Sequence, residues 1–596
     1  MKNEKKTGRL RHHIFRNRWR YAIGVLTLLI VDWLDMYIPQ FIGEVTDGLR
    51  EHTMDAAGIT AVVVRLLLCA AGIAVARFGW RYFIVGTAHR VINGVRKDIF
   101  EKLEMLSQRY FNRNKTGDIM ACFTNDLEAV EDAIGFCVIA AFDAIVLTCL
   151  CLYRMLSYVS VKLTLLTMFP MVIIACYGYF VGKLFDKSFF VKQEAFGKLT
   201  DAVQEAVSAE RVLKAFVQED RQCAEFEKVN DANRKANVKI SRMRAIFWPV
   251  MEALVGFAYV IAIVVGGRYA MTGEITLGRF VTFASYVNML VWPMLAVGDC
   301  ITTFSQGLAS MRRINRVFAE HPEITDEKAD PAITALHGAF SFEDVSFAYE
   351  SESGNALEHI NVSVRPGETF AIMGKTGCGK TTMVSLLTRI YDTTAGTVRL
   401  DGRDIREIPL QVLHESIAYV PQDNFLFSET LAENLRFGRT DATQEEIEAA
   451  CIAADVHDNI MDLPDRYETM LGERGVTLSG GQKQRTSIAR ALLKDAPILI
   501  MDDSLSAVDT DTEDNILRNL KALREGKTTV MIAHRVSTVR NADHILVLEG
   551  GKPVEYGTWA ELSAIEDGVF ARMVLQQQLE KQLAEDNSPA SEGGEA

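Results

Sequence analysis

Paired cysteine spacing is the first thing this chain lacks. Its ten cysteines are scattered over 596 residues, several inside apolar runs, so neither a disulfide framework nor a zinc pattern is expected. A basic excess is also missing: 64 Lys and Arg face 77 Asp and Glu, a formal net charge of −13, which argues against a nucleic-acid partner. Long apolar runs are nearly absent after about residue 310. The basic N-terminus, Lys2 to Arg20, is followed by no small-residue cleavage site, and the apolar run behind it is too long for a signal-peptide core. It reads as a retained first span.

What is present divides the chain in two. A length of 596 residues with 49% hydrophobic and 24% charged content exceeds one core, and the mean hydropathy of +0.08 hides the division. Residues 8–20 form a basic segment with Leu10, Ile14 and Phe15 spaced for a short interfacial helix. Six apolar segments follow, at approximately 20–43, 58–86, 134–157, 161–183, 246–271 and 276–301, each near the roughly 20 residues that cross a hydrocarbon core. The basic charge predicts a cytoplasmic N-terminus, and six spans return the chain to that side. Between spans two and three, Val91, Val95, Ile99 and Leu103 recur at helical spacing; between four and five, Phe196, Leu199, Val203 and Val207 do the same. These helices are expected to run past the bilayer.

The second half holds a stretch with a mechanism. Gly374-Lys375-Thr376-Gly377-Cys378-Gly379-Lys380-Thr381 spells GxxxxGK[ST], with a strand-like run from Thr369 before it and helix-period residues Met383, Val384, Leu386 and Leu387 after it. Glycines let backbone N–H groups turn toward phosphates, Lys380 adds a point charge, and the helix presents its positive N-terminus. Thr381 is placed to hold Mg²⁺. Ile498-Leu499-Ile500-Met501 ends in Asp502, a carboxylate at a strand terminus as Mg²⁺ coordination needs.

Six spans with long intracellular helices, followed by a phosphate-loop domain, resemble a type I ABC exporter half-transporter. Family-like phrases occur in both halves: Pro39…Gly43…Asp47, Tyr110-Phe111…Thr116-Gly117-Asp118…Thr124-Asn125-Asp126, Val212-Leu213-Lys214-Ala215-Phe216, and the signature Leu478-Ser479-Gly480-Gly481-Gln482. The resemblance implies a multidomain membrane protein: an all-α six-helix transmembrane domain with long intracellular helices, then an α/β P-loop ATPase domain with a helical subdomain. The expected divisions are an elbow segment (1–19), the spans (20–319), a linker with Pro322 and Pro331 (320–337), the ATPase domain (338–577) and an acidic tail without structure (578–596). Coupling helices are expected near 112–118 and 208–216.

The resemblance also assigns roles. Tyr349 stacks on adenine, residues Gly374 to Thr382 hold ATP, Gln422 touches Mg²⁺ and the attacking water, and His534 lies near the γ-phosphate. Leu478, Ser479, Gly480, Gly481 and Gln482 complete the site of the opposite subunit; Ser506-Ala507-Val508-Asp509 join the two sites; and Gly472-Glu473-Arg474-Gly475 meet the partner's intracellular loops. One departure stands out. Where the family has glutamate as base, this chain has Asp503, one methylene shorter and about 1.5 Å less in reach, which resembles the degenerate subunit of bacterial heterodimeric multidrug exporters. The expected activity is ATP-driven, Mg²⁺-dependent export of hydrophobic or amphipathic compounds across the cytoplasmic membrane. It would run in a pair with a different homologous chain, with the N-terminus and the ATPase domain in the cytoplasm. Alternatives are a homodimeric lipid or peptide exporter and an ATP-binding regulatory or channel subunit. No protease-like domain precedes the first span, which speaks against a bacteriocin-processing exporter.

Ionisable residues inside spans usually face a cavity or one another. Asp32, Asp35, Arg77, Arg81, Asp143, Glu252 and Asp299 are of this kind, and Asp32, deepest in its span, is the cavity candidate. Trp33, Met36, Phe247, Trp248, Phe257, Met289, Trp292 and Met294 either line an adaptable cavity or pack among helices.

Overall fold

The computed structural model describes residues 8–350, 354–472, 475 and 478–586. The chain forms two compact units, Met1–Met105 with Asn114–His321, and Leu106–Arg113 with Pro322–Ala596.

Among its described residues, the first unit consists of helices joined by short turns. Gly8–Arg16 is a short basic helix before the first span. Six helical stretches among the described residues are long and apolar enough to cross a membrane: Arg18–Arg50, Ala56–Glu104, Thr116–Val159, Val161–Gly178, Glu219–Met271 and Leu277–Ala319. The helices carrying the fourth and fifth, Val161–Ser208 and Glu219–Met271, have 48 and 53 residues, about 70–80 Å at 1.5 Å per residue and more than twice the ~30 Å hydrocarbon core. Their extensions form a long helical hairpin, closed by the short helix Glu210–Ala215, none of whose residues is buried. Leu67, Leu68, Val75 and Phe78 are each at least 65% exposed, an apolar exterior suited to lipid as solvent.

The first and sixth spans meet along a seam that explains one family-like phrase. Asp47 accepts from Gly278 N at 2.6 Å and from the Thr276 hydroxyl at 2.5 Å, and the Pro39 carbonyl accepts from the Thr282 hydroxyl at 2.9 Å. A Cβ on Gly43 would sit 2.7 Å from the Gly278 carbonyl, so only glycine lets these helices approach. Pro39, Gly43 and Asp47 are therefore packing and capping residues of this seam.

In the second unit, β1 (Phe340–Phe347), β2 (Leu357–Val364), β4 (Ala395–Leu400) and β5 (Arg403–Asp404) form an antiparallel sheet in the order β2-β1-β4-β5. A second sheet runs β10 (Lys552–Gly557), β9 (His544–Glu549), β3 (Thr369–Gly374), β8 (Thr528–Ile532), β7 (Ile498–Asp502), β6 (Ile417–Val420), parallel except for the β9–β10 hairpin. Strands β7 and β8 are buried at every position, as sheets covered on both faces require. Ile498, Ile500, Val530 and Ile532 share one core with both sheets, whereas Leu499 and Met501 face a second core on the other side. Helices between β6 and β7 build a second core around Leu431, Ile447, Cys451, Ile460 and Ile488, the helical subdomain.

Two boundaries differ from expectation. The segment joining the second unit is Leu106–Arg113 rather than 112–118: Arg109 pairs with Glu350 at 2.9 Å and with Glu323 at 3.3 Å, Arg113 also pairs with Glu350, and Asn112 donates to the Tyr391 hydroxyl at 2.9 Å. The helix Gln108–Arg113 ends before Asn114 and Lys115, and another, Thr116–Ala121, starts after them, so the expected segment straddles a break. At the C-terminus the last helix continues to Asp586 instead of stopping near residue 578, because Gln, Leu, Glu, Lys and Ala are good helix formers despite their polarity. The part of the expected tail from 587 lies outside the described residues.

Candidate functional site

Neighbouring parallel strands build the site. In the order β3-β8-β7, Ile372 lies opposite Ile532, and Ile532 opposite Asp502. The loops after these three strands consequently emerge side by side at the carboxyl edge of the sheet, where ligands of open α/β sheets bind. They carry, in turn, Gly374 to Gly379, His534, and Asp503.

The first loop enters helix α1 (Lys380–Leu387) through Gly379, whose φ is +100°. A Cβ there would be both strained and 2.7 Å from the Ala356 carbonyl. Lys380 is 6% exposed and its Nζ donates to the carbonyls of Gly374 at 2.7 Å and Lys375 at 3.1 Å, so the ammonium sits inside the curve of its own loop. Cys378 packs in the core below, where burial pushes its thiol above the ordinary range against the opposing pull of Lys380. Thr382 meets the Tyr349 hydroxyl at 3.1 Å, and Tyr349 stands edge-on to Phe347 and Tyr391.

The Thr381 hydroxyl donates to Asp502 Oδ1 at 3.3 Å, and the Tyr419 hydroxyl is 3.5 Å from Oδ2. Asp502 is 1% exposed, and burial raises its carboxyl pKa above the ordinary aspartate range, with Thr381 and Lys380 pulling the other way. A buried carboxylate beside a hydroxyl is a hard oxygen donor pair, the set that suits Mg²⁺. Gln422 is exposed in the stretch after β6; among the described residues no hydrogen bond joins its side chain to Asp502 or Thr381.

Asp503 follows with φ +47°. Its N–H donates to the Ile532 carbonyl at 3.1 Å and its carbonyl accepts from the Ser506 hydroxyl at 3.0 Å. Asp503, Ser506, His534 and Arg535 line one cavity of about 200 Å³, so Asp503 and the histidine share a space.

The signature is a capping box. Helix α2 (Gly480–Lys494) begins at Ser479, whose hydroxyl accepts from Gln482 N at 3.3 Å while Gln482 Oε1 accepts from Ser479 N at 2.9 Å. Leu478 is buried beneath it. Gln484 then ties the helix to the next motif, donating to the Ser506 hydroxyl at 3.2 Å and accepting from Ala507 N at 3.0 Å. Val508 is buried, and Asp509 caps helix α3 (Thr510–Leu523) by accepting from Thr512 N at 3.0 Å. Of the motif at 472–475, Glu473 and Arg474 lie outside the described residues.

Three supporting residues carry no sequence signal. Gln484 is one. Glu513, 1% exposed, pairs with Arg535 at 2.6 Å and also binds the Thr538 hydroxyl, while Arg535 donates to the Val508 carbonyl at 3.1 Å. Gln577 is the third.

In the first unit, Asp35 pairs with Arg77 at 3.3 Å, whereas Asp32 is 4% exposed and its Oδ2 has no partner among the described residues. Met36 is core, and Phe247 stacks on Tyr177 at 5.6 Å, whereas Trp33, Trp248, Phe257 and Trp292 are exposed.

Sequence families agree with this architecture. One described as ABC transporter transmembrane region matches residues 21–294, and one described as ABC transporter matches 357–506. A Bacillus subtilis (strain 168) protein, named as the probable multidrug resistance ABC transporter ATP-binding/permease protein YheI, is 37% identical over 95% of this chain and 96% of its own. The multidrug resistance-like ATP-binding protein MdlA of Escherichia coli (strain K12) is 36% identical over 96% and 97%. A solved structure of a bacterial Atm1-family ABC exporter with ATP bound superposes with a TM-score of 0.80 at 27% identity, covering 94% of this chain and 99% of that one. The chain is a type I ABC exporter half-transporter, a multi-pass membrane protein whose ATP-binding domain is an ATPase coupled to transport.

Proposed function

We propose that this chain exports hydrophobic or amphipathic compounds of the multidrug type across the cytoplasmic membrane, as one subunit of a heterodimer, with its ATPase domain in the cytoplasm. Its own site holds ATP through Tyr349 and Gly374 to Thr382, and Thr381 and Asp502 hold Mg²⁺, with Gln422 reaching them as the domains close. The ion supplies charge neutralisation for the transferring phosphoryl group. Ser479 to Gln482 serve the site built on the partner chain.

The observation that carries the asymmetric reading is Asp503. It takes the position of the general base with a side chain about 1.5 Å shorter than glutamate, and a base outside hydrogen-bond reach of its water loses rate by orders of magnitude. Its left-handed backbone, φ +47°, is a conformation that Asp tolerates better than most residues. His534 shares the cavity and serves as the γ-phosphate contact.

The test is ATP hydrolysis and vesicle transport by the full-length chain alone and together with a homologous half-transporter that carries glutamate at this position. The expected result is slow hydrolysis alone and fast, transport-coupled hydrolysis in the pair. Ordinary rates from the chain alone would establish a homodimeric exporter instead, and flux indifferent to ATP would establish a channel or regulatory subunit.

A further inference from the structure

The loop carrying His534 is gripped from behind by the last helix, α4 (Val569–Asp586). Gln577 Nε2 donates to the His534 carbonyl at 2.7 Å, and Gln577 Oε1 accepts the Val536 N–H at 2.7 Å. One planar amide thus binds the backbone on both sides of Arg535. The grip is anchored at the helix start: the N–H groups of Val569 and Phe570 donate to the Glu555 carboxylate at 2.5 and 2.9 Å, and Phe570 is fully buried in the core that also holds Ala533 and Val536. From the opposite side, Glu513 holds the Arg535 side chain at 2.6 Å. The imidazole of His534 itself is exposed.

We infer that Gln577 is a positioning residue for His534: it fixes the loop backbone so that the imidazole is aimed at the nucleotide, and it acts on hydrolysis only through that histidine. The chemistry of the amide fits this role and no near relative does. Glutamate accepts the Val536 N–H but turns a carboxylate toward the His534 carbonyl; asparagine is one methylene short of both groups; methionine keeps the length and makes neither bond. A further consequence is that the C-terminal helix sets, through the His534 loop, the rate at which nucleotide is hydrolysed.

The inference rests on His534 being the γ-phosphate contact, and the experiment separates the two. The full-length chain in lipid nanodiscs is assayed with MgATP as wild type, Gln577→Met, His534→Ala and the double variant, with rates normalised to bound nucleotide and thermal midpoints recorded. Gln577→Met is expected to lower kcat about 5- to 20-fold with the ATP KM within about twofold, as removal of a transition-state contact requires. The double variant is expected to match His534→Ala, the non-additivity of residues acting through one group. A wild-type kcat in Gln577→Met beside a damaged His534→Ala overturns the positioning role alone. A multiplicative loss in the double variant overturns action through the histidine. A His534→Ala chain with wild-type kcat overturns the histidine's role and the positioning role with it. Should the midpoint of Gln577→Met fall, Gln577→Glu, which retains the Val536 bond, is read instead; unchanged kcat there overturns the need for the His534 bond.

Discussion

Arg313 of the sixth span closes its guanidinium on Asp126 of the third, with Nε at 3.1 and 3.0 Å from the two carboxylate oxygens and Nη2 on the Ser310 hydroxyl at 2.9 Å. Asp126 sits in a π-helical turn, Cys122–Asp126, and is only 4% exposed. The pair joins two elements 187 residues apart, and removing the cation strands a buried charge. Arg313→Ala is expected to destabilise the transmembrane unit by roughly 2 kcal/mol, seen as a lowered thermal midpoint in detergent. An equal midpoint would mean that water reaches Asp126.

Arg109 contacts both Glu350 and Glu323 with its side chain 26% exposed. Exposed pairs of this kind add about 1 kcal/mol or less to stability, so their replacement tests communication rather than folding. Glu350→Arg is expected to abolish stimulation of ATPase activity by transported compound while leaving basal hydrolysis within about fivefold, the rate change to which ~1 kcal/mol corresponds. The exchange Arg109→Glu with Glu350→Arg is expected to recover part of the stimulation.

Asp503→Glu restores reach at a backbone position with φ +47°. Turnover of the chain's own site is expected to rise about tenfold or more, inside the ~100-fold cost of a 1 Å misplacement. The ATPase domain is expected to lose up to about 1 kcal/mol from the less tolerant left-handed residue. Single-turnover hydrolysis and a thermal midpoint read the two effects separately, and a faster site with no stability change would locate the defect in reach alone.

Asp502 is expected to make the site pH-dependent. Burial raises its pKa above 3.8, so its folded form binds a proton more tightly than the unfolded chain does. In the nucleotide-free protein the group's stabilising contribution is therefore present below the unfolded pKa and is lost as pH rises through the raised folded value. A bound cation reverses that preference, because it favours the ionised carboxylate. MgATP is accordingly expected to raise the thermal midpoint more at pH 7.5 than at pH 5. Asp502→Asn, which cannot ionise, is expected to flatten the difference; a difference that persists in Asp502→Asn would assign it elsewhere.

Asp32 has an unpartnered oxygen and 4% exposure, while Asp35 three residues on is paired with Arg77. Asp32→Asn keeps the shape and removes the charge. Efflux of a cationic dye is expected to fall at least several-fold with assembly and basal ATPase retained, whereas efflux of a neutral dye is expected to stay. Equal cationic-dye efflux would leave Asp32 a packing residue.

Much of this was legible because it is written contiguously. Gly374 to Thr381 occupies consecutive positions between a strand and a helix, and Asp502 ends an unbroken apolar run; both need only local spacing. Six spans are legible for the same reason, since hydropathy is a local sum. The Pro39, Gly43 and Asp47 phrase was visible, but its meaning was not, because its partners Thr276, Gly278 and Thr282 lie about 230 to 240 residues on. Gln577 was invisible within the run Gln576-Gln577-Gln578: periodicity gives the helix, and only tertiary folding says which glutamine faces His534. Glu513 hides similarly among the acidic residues that ordinarily open a helix.

The capping box at Ser479 has a consequence for direction. Its hydroxyl oxygen is a hydrogen-bond acceptor for Gln482 N, which uses a lone pair and leaves the hydroxyl hydrogen to point away from the helix. The first amides of that helix have no partner within it. The bond that starts α2 therefore also sets a bearing: it fixes the first turn, Gly480 and Gly481 included, at the start of a helix whose later residues Ile488, Ala489 and Leu493 are buried in the domain core. On the proposed reading of the signature, punctuation and recognition fall on the same residue, so a change at Ser479 is expected to alter where the helix begins and what its end can grasp in a single stroke.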